Sequence, residues 1–143
     1  MPVEIFYDLK GYVDPEMYRM KNVLVEGNYF LYTGYGWASR QYNKEKNSAA
    51  YQGHWYPNAA EDFRIINNVF YLSTGSLINT GAPKEWQPVL DGNTYVQHEG
   101  GVLAYWTTED GYGHPETFIY ESATARDIIH NILGDENGVI LED

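Results

Sequence analysis

Four histidines, twenty carboxylates and a set of loop aromatics are the residues of this chain with chemistry to offer. His54, His98, His114 and His130 stand far apart. No H-x-H or H-E-x-x-H spacing places two imidazoles on one element, so neither a zinc site nor a histidine base is expected. Asp127 and His130 share a face of a predicted helix, as a solvated surface contact would. Glu61-Asp62 and Glu109-Asp110 are neighbouring acids of the type that flank a glycosidic bond, but both pairs sit beside turns, where acids serve solubility. There is no G-x-S-x-G elbow, no P-loop and no G-x-G-x-x-G after a strand, and Gly34-Tyr35-Gly36 is too short for a nucleotide loop. These patterns predict a protein that is not an enzyme and uses no cofactor or metal.

The aromatics are the stronger signal. The chain has 14 Tyr, 5 Phe and 4 Trp, or 16% of 143 residues, and 14 Gly beside them. Tyr and Trp combine a large apolar face with a polar tip, which suits β-surfaces, protein interfaces and sugar platforms. Tyr35, Trp37, Trp55, Tyr56 and Trp86 fall in or beside predicted loops, with Tyr42 and Tyr51 nearby. The first five are the candidate contacts for a protein partner or a glycan; folding back over the sheet as loop plugs is their structural alternative.

Length and charge narrow the partners. A chain of 143 residues fits one domain and hides roughly two-thirds of its unfolded surface, enough for a core without staples. Zero cysteines remove disulfides, thiol catalysis and Cys-based zinc sites. The net charge of −11 repels phosphate backbones and anionic lipid, so no direct nucleic-acid or membrane partner is expected. The opening MPVEIFYDLK does not read as a signal peptide, and no run of roughly 18 apolar residues predicts a membrane span.

The elements that must position these residues are mostly strands. Val3–Tyr7, Val23–Val25, Tyr29–Thr33, Arg64–Ile66, Val69–Ser73, Thr94–His98, Val102–Thr107 and Glu116–Tyr120 are β-prone runs, with another near Ser48–Trp55. Asp14-Pro15-Glu16 predicts the start of a short N-terminal helix over Pro15–Lys21. A C-terminal helix is capped by Ser122 or Thr124, carries Ile128, Ile129, Ile132 and Leu133 on one face and stops at Gly134. Glu26-Gly27-Asn28 and Asn67-Asn68 read as tight hairpin turns. An offset of 41 residues aligns VLVEGNYFLYTG with RIINNVFYLSTG at three identities in twelve, and two independent hairpins are preferred over a duplication. The expected fold is mainly β: an antiparallel sandwich or small barrel of about seven to nine strands with the two helices, in one domain over 1–143. Residues 138–143 form a tail able to add a strand to this sheet or to a neighbour's.

Asn67 to Trp106 resembles a small module recurring in structural and fibre-associated proteins of tailed bacteriophages. The matching pieces are Asn68-Val69-Phe70-Tyr71, Ser73-Thr74-Gly75, Thr80-Gly81-Ala82-Pro83, Asp91-Gly92 and Gly101 to Trp106. Lys84-Glu85-Trp86-Gln87 and the stretch Asn93 to Gly100 depart from the pattern. The resemblance implies a place in a virus particle, made in the host cytoplasm, and transfers no catalytic residue. The expected function is a virion structural protein, either a capsid decoration (cement) protein or a tail- or fibre-associated subunit, bound to other virion proteins and self-associating as a homo-oligomer. A carbohydrate-binding module directed at host-surface glycan is the second reading, and an acidic inhibitor mimicking nucleic acid is the third.

Overall fold

The computed structural model describes residues 3–5, 20–33, 49–53, 60–80, 85, 88–106 and 117–143. Twelve strands lie within them: β1 (Val3–Ile5), β2 (Met20–Glu26), β3 (Tyr29–Thr33), β4 (Tyr51–Gly53), β5 (Ala60–Ile66), β6 (Val69–Ser73), β7 (Ile78–Thr80), β8 (Val89–Asp91), β9 (Thr94–Gln97), β10 (Ala104–Trp106), β11 (Thr117–Ile119) and β12 (Val139–Glu142). A C-terminal helix, α1 (Ser122–Asp127), continues as a π-helical turn over Ile128–Ile132.

The chain is mainly β with one C-terminal helix, but it is neither an antiparallel sandwich nor a small antiparallel barrel. Strands pair with the third strand along: β1-β4-β7-β10 in a first sheet, β2-β5-β8 in a second, and β3-β6-β9-β12 in a third. All of these pairings are parallel, and only β11 runs antiparallel, against β10. The chain therefore winds through three sheets per turn and stacks each coil on the one before, which defines a parallel β-solenoid. Glu26-Gly27-Asn28 and Asn67-Asn68 are not hairpin turns. Each is a corner carrying the chain from the second sheet into the third.

A single left-handed residue explains the corner. Gly27, Asn67 and Gly92 have φ of +67°, +55° and +66° at equivalent places, a conformation that Gly and Asn tolerate. One such residue redirects a strand into a new sheet, whereas a two-residue type I′ hairpin turn would use two. The coils also settle the duplication: Val23 pairs with Phe63 and Tyr29 with Val69, an offset of 40. The next coil repeats at 25, with Ile65 on Leu90 and Phe70 on Tyr95. The 41-residue alignment thus detects stacked coils while sitting one residue out of register.

The core lies inside the coil as columns of like residues. Val25, Ile65 and Leu90 form one; Tyr51, Ile78, Ala104 and Ile119 another. Phe30, Phe70 and Tyr95 form a stack of rings with centroid separations of 5.1 and 5.3 Å and interplanar angles of 19° and 11°. Tyr51 meets Phe70 edge-on at 6.4 Å. The helix closes the C-terminal end, burying Ala125, Ile128, Ile129 and Leu133 on this core. Its first turn has no side-chain cap, since Glu121 occupies the N-cap position in place of Ser122 or Thr124. Gly134, at φ +83°, ends the turn as its sequence position predicts.

The predicted N-terminal helix is not seen. Its last residues, Met20 and Lys21, belong to β2, where they pair with Ala60 and Glu61, and the remainder lies outside the described residues. For Met20 and Lys21 the β-ladder that β5 offers wins over the helix. The tail strand is observed: β12 joins this chain's own third sheet, parallel to β9. Ser76, Leu77, Ile78 and Asn79 are buried as the chain passes from β6 in the third sheet to β7 in the first.

Phe70 has ring neighbours on both faces, so Phe70→Ala is expected to cost about 3–5 kcal/mol. Leu24→Ala, on the exposed outer face of β2, is expected to stay within about 0.5 kcal/mol. Urea unfolding of the two variants checks the contrast.

Candidate interaction surface and the ladder beneath it

The corner between the second and third sheets is built on a column of amides. Asn28 donates its backbone N–H and its Nδ2 to Asn68 Oδ1, both at 3.0 Å. Asn68 repeats the pattern toward Asn93 Oδ1 at 3.0 and 3.1 Å. The spare amide protons go to backbone carbonyls, Asn68 Nδ2 to Val25 and Asn93 Nδ2 to Ile65, at 2.9 and 2.8 Å. The backbone carbonyls of Asn28, Asn68 and Asn93 each accept an N–H from the following coil. An amide suits this column because it donates and accepts at once, so one coil's side chain satisfies the corner of the coil before it.

Asp135 ends the column. It accepts Gly92 N–H on Oδ1 at 2.7 Å, and Asn93 Nδ2, Asn93 N–H and Tyr95 O–H on Oδ2 at 2.9, 3.3 and 3.2 Å. The register Thr94 on Val139 places Gly138 above Asn93, where the next asparagine would stand. A Cβ on Gly138 would fall 2.8 Å from Asp135 Cγ, so the carboxylate reached from the preceding turn fills the fourth amide's place. A carboxylate accepts only. It closes the column without adding donors that would need a further coil.

Burial pushes the Asp135 carboxyl above its ordinary value, and donors from Asn93, Gly92 and Tyr95 pull it partly back. Burial and the nearby Asp135 charge push the Tyr95 hydroxyl well above its ordinary value. Gln97 performs a similar duty at the corner into the first sheet. Its Nε2 donates to the carbonyls of Gly75 and Val102, and its Oε1 accepts from Ser73 and His98 N–H.

The inward stacks leave alternate residues of the third sheet facing out. Two rows result: Tyr29, Val69, Thr94 and Val139, then Leu31, Tyr71, Val96 and Leu141, with Val96 itself buried between its neighbours. None of these residues carries a charge. Tyr29 is 74% exposed and Leu31 55%, with Val139 and Leu141 near half exposure at the opposite rim. Tyr32 packs edge-on against Tyr71 at 5.8 Å, and the Tyr71 hydroxyl donates to Asp143 Oδ2 at 2.6 Å. That hydrogen bond is the leading cause of a raised Tyr71 pKa. The second sheet differs: its outer face carries the ion pairs Lys21–Glu61 at 3.5 Å and Arg64–Asp62 at 3.4 Å.

All five candidate contacts, Tyr35, Trp37, Trp55, Tyr56 and Trp86, lie outside the described residues. The exposed apolar residues found here were not among them. Their signal was present in YFLYT, VFYLS and VILE, where both alternating parities of a strand are largely apolar. His54 and His114 are also outside the described residues, while the His130 ring lies 2.8 Å from the Gly138 carbonyl. Asp127 accepts from Asn131 at 2.6 Å. Among the described residues, no group of His, Asp and Glu could hold a metal, and no helix is long and apolar enough to cross a membrane. Comparison with protein families, with curated proteins and with solved structures finds no match.

Asp135→Asn supplies an acceptor for only one side of the site and turns an NH2 group on the other donors. It is expected to lose about 1–3 kcal/mol. Because the folded carboxyl holds its proton more tightly than the unfolded one, wild-type stability falls as pH rises from the ordinary carboxylate range through the raised value. Urea midpoints measured across that window should show the gap between wild type and Asp135→Asn narrowing with rising pH.

Proposed function

We propose that this protein is a non-enzymatic structural subunit of a bacteriophage virion. In this role it is a capsid decoration protein or a tail- or fibre-associated subunit, produced in the host cytoplasm and docking on other virion proteins or on copies of itself. The observation that carries the proposal is the uncharged outer face of the third sheet. On a chain of net charge −11, like-charged surfaces resist close approach, and a face whose two outward rows carry no charged side chain, with the Asp143 carboxylate hydrogen-bonded to the Tyr71 hydroxyl, allows contact at low electrostatic cost. Tyr29, Leu31, Val139 and Leu141 supply exposed apolar area there, and the aromatic anchor Tyr29 is of the type that dominates protein interfaces. The coil beneath is held by columns of buried rings and amides, so the face is presented rigidly. The phage resemblance of Asn67 to Trp106 supports the particle setting; its described part contributes β6 to β10.

A glycan-binding role has one specific feature in its favour. The exposed Tyr29, together with Tyr32, Tyr71 and the Asp143 carboxylate, combines ring faces with a hydrogen-bonding acid, as sugar sites do. Exposed aliphatic residues across the same face favour protein.

Quantitative mass spectrometry of purified particles is expected to find the protein at a copy number set by particle symmetry, and its absence would sink the proposal. Leu31→Asp should leave the urea midpoint nearly unchanged, within about 0.5 kcal/mol. The same variant should abolish incorporation into particles. A glycan array probed with wild type and Tyr29→Ala separates the second role, which predicts binding lost on substitution.

A further inference from the structure

Closing the amide column on Asp135 places a chemically labile pair beside it. Asp135 to Gly138 form the turn that leads into β12, and the Gly138 N–H donates to the Asp135 carbonyl at 3.0 Å. Position 138 has room only for glycine, because a Cβ there would stand 2.8 Å from Asp135 Cγ and 2.9 Å from Ile129 Cγ2. The residue before it is the exposed Asn137, and together they are the single Asn-Gly pair of the chain. In such a pair the backbone nitrogen can reach the preceding carboxamide, since glycine puts no side chain in the way. Here both groups are engaged elsewhere. Asn137 Nδ2 donates to Asp91 Oδ1 at 2.8 Å, which ties the turn to the end of β8. The His130 ring nitrogen Nε2 donates to the Gly138 carbonyl at 2.8 Å, and Val139 N–H donates to the Asn93 carbonyl at 2.9 Å.

We infer that Asn137 is a site of spontaneous deamidation, gated by the closure of this turn on β8 and β9. In the reaction hydroxide removes the Gly138 amide proton and the nitrogen forms a bond to Asn137 Cγ. The Cγ–Nδ2 bond breaks, and ammonia leaves with a proton from water, restoring the hydroxide. Water then opens the succinimide at either carbonyl and leaves an aspartate or an isoaspartate. In the closed turn the Gly138 proton is held by the Asp135 carbonyl and the Asn137 carboxamide by Asp91, so reaction waits for a local opening of the turn. The product cannot close as asparagine does. A carboxylate at 137 offers Asp91 no proton and sets like charge beside it, on a chain already at −11. An isoaspartate lengthens the main chain by one carbon and shifts Gly138 from its place beside Asp135. Each opening that reacts is recorded as a weaker seal on the column, so the turn is a one-way ageing switch. The inference stands on the geometry of Asp91, Asn137 and Gly138 and is independent of the assembly role proposed above.

The test incubates the full-length protein in mildly alkaline buffer and follows conversion at 137 by peptide mapping with tandem mass spectrometry. A free peptide copying residues 133–141, LGDENGVIL, is the ungated reference. Conversion in the protein is expected at a rate at least about tenfold below the peptide's, because only the open fraction of the turn reacts. Asp91→Ala alters an exposed side chain and leaves the main-chain bonds of β8 in place. It should raise the protein's rate toward the peptide's while the far-UV circular dichroism stays that of wild type. Asn137→Asp, the product made directly, should lower the urea midpoint and speed hydrogen exchange at Val139 relative to Phe70. Most of that loss should vanish in the Asp91→Ala background, where no carboxylate faces position 137. Conversion at the peptide's rate, no conversion where the peptide converts, or an Asn137→Asp midpoint equal to wild type's overturns the inference. An unchanged rate in folded Asp91→Ala overturns it as well.

Discussion

Stacking one coil on another requires that every corner find partners for backbone groups that cannot pair within a flat sheet, and the asparagine column meets that requirement repeatedly. Asn28, Asn68 and Asn93 each present an amide at the same corner, and each side-chain oxygen after the first receives two protons from the coil beneath. The column also sets register. Shifting a coil by one residue would strand these amides and turn Phe70 and Tyr95 from the interior to the surface. The ring stack and the amide column lie two residues apart on the same strands, so each enforces the register the other needs. Buried polar networks of this kind stabilise when every member is satisfied and penalise when one is not.

Termination follows from the same chemistry. A column of groups that both donate and accept is closed at a buried end by a group that only accepts, and Asp135 is such a group. Gly138 leaves the space for it, and the π-helical turn before it brings the carboxylate to that place. Asp135 N–H bonds to the Ile129 carbonyl at 3.0 Å, and Leu133 N–H to Ile128 at 2.9 Å. The helix thus serves the solenoid twice, burying Ile128, Ile129 and Leu133 over the core and aiming the closing acid.

The distribution of surface character is a consequence of winding. Each strand has an inner and an outer face, and the outer faces of the second and third sheets have diverged. The second carries its ion pairs, while the third carries only uncharged residues in its two outward rows. Successive coils place equivalent residues beside one another, so a preference at one strand position becomes a row. An extended contact face is thereby assembled from short strands far apart in sequence.

Strand-forming segments, the C-terminal helix and its stop at Gly134 were legible from the residues, because alternation, turn chemistry and helical spacing are local. The repeat is written in the residues as aliphatic-x-x-Asn-x-aromatic at 25–30, 65–70 and 90–95, but its spacing changes from 40 to 25, and only the coil register brought it out. Uneven loops between coils obscured that period, and Gly27-Asn28 taken alone carries the same signal as a hairpin turn. Strand partners, parallel direction and the outward rows were decided only by tertiary structure. A strand's own residues state that it will pair but not with what. Here the choice lies with amides and rings that meet only after the chain has travelled a full coil. Asp135 shows the limit most clearly: in sequence it is an acid after a helix-stopping glycine, and only the stacked coils make it the last member of an asparagine column.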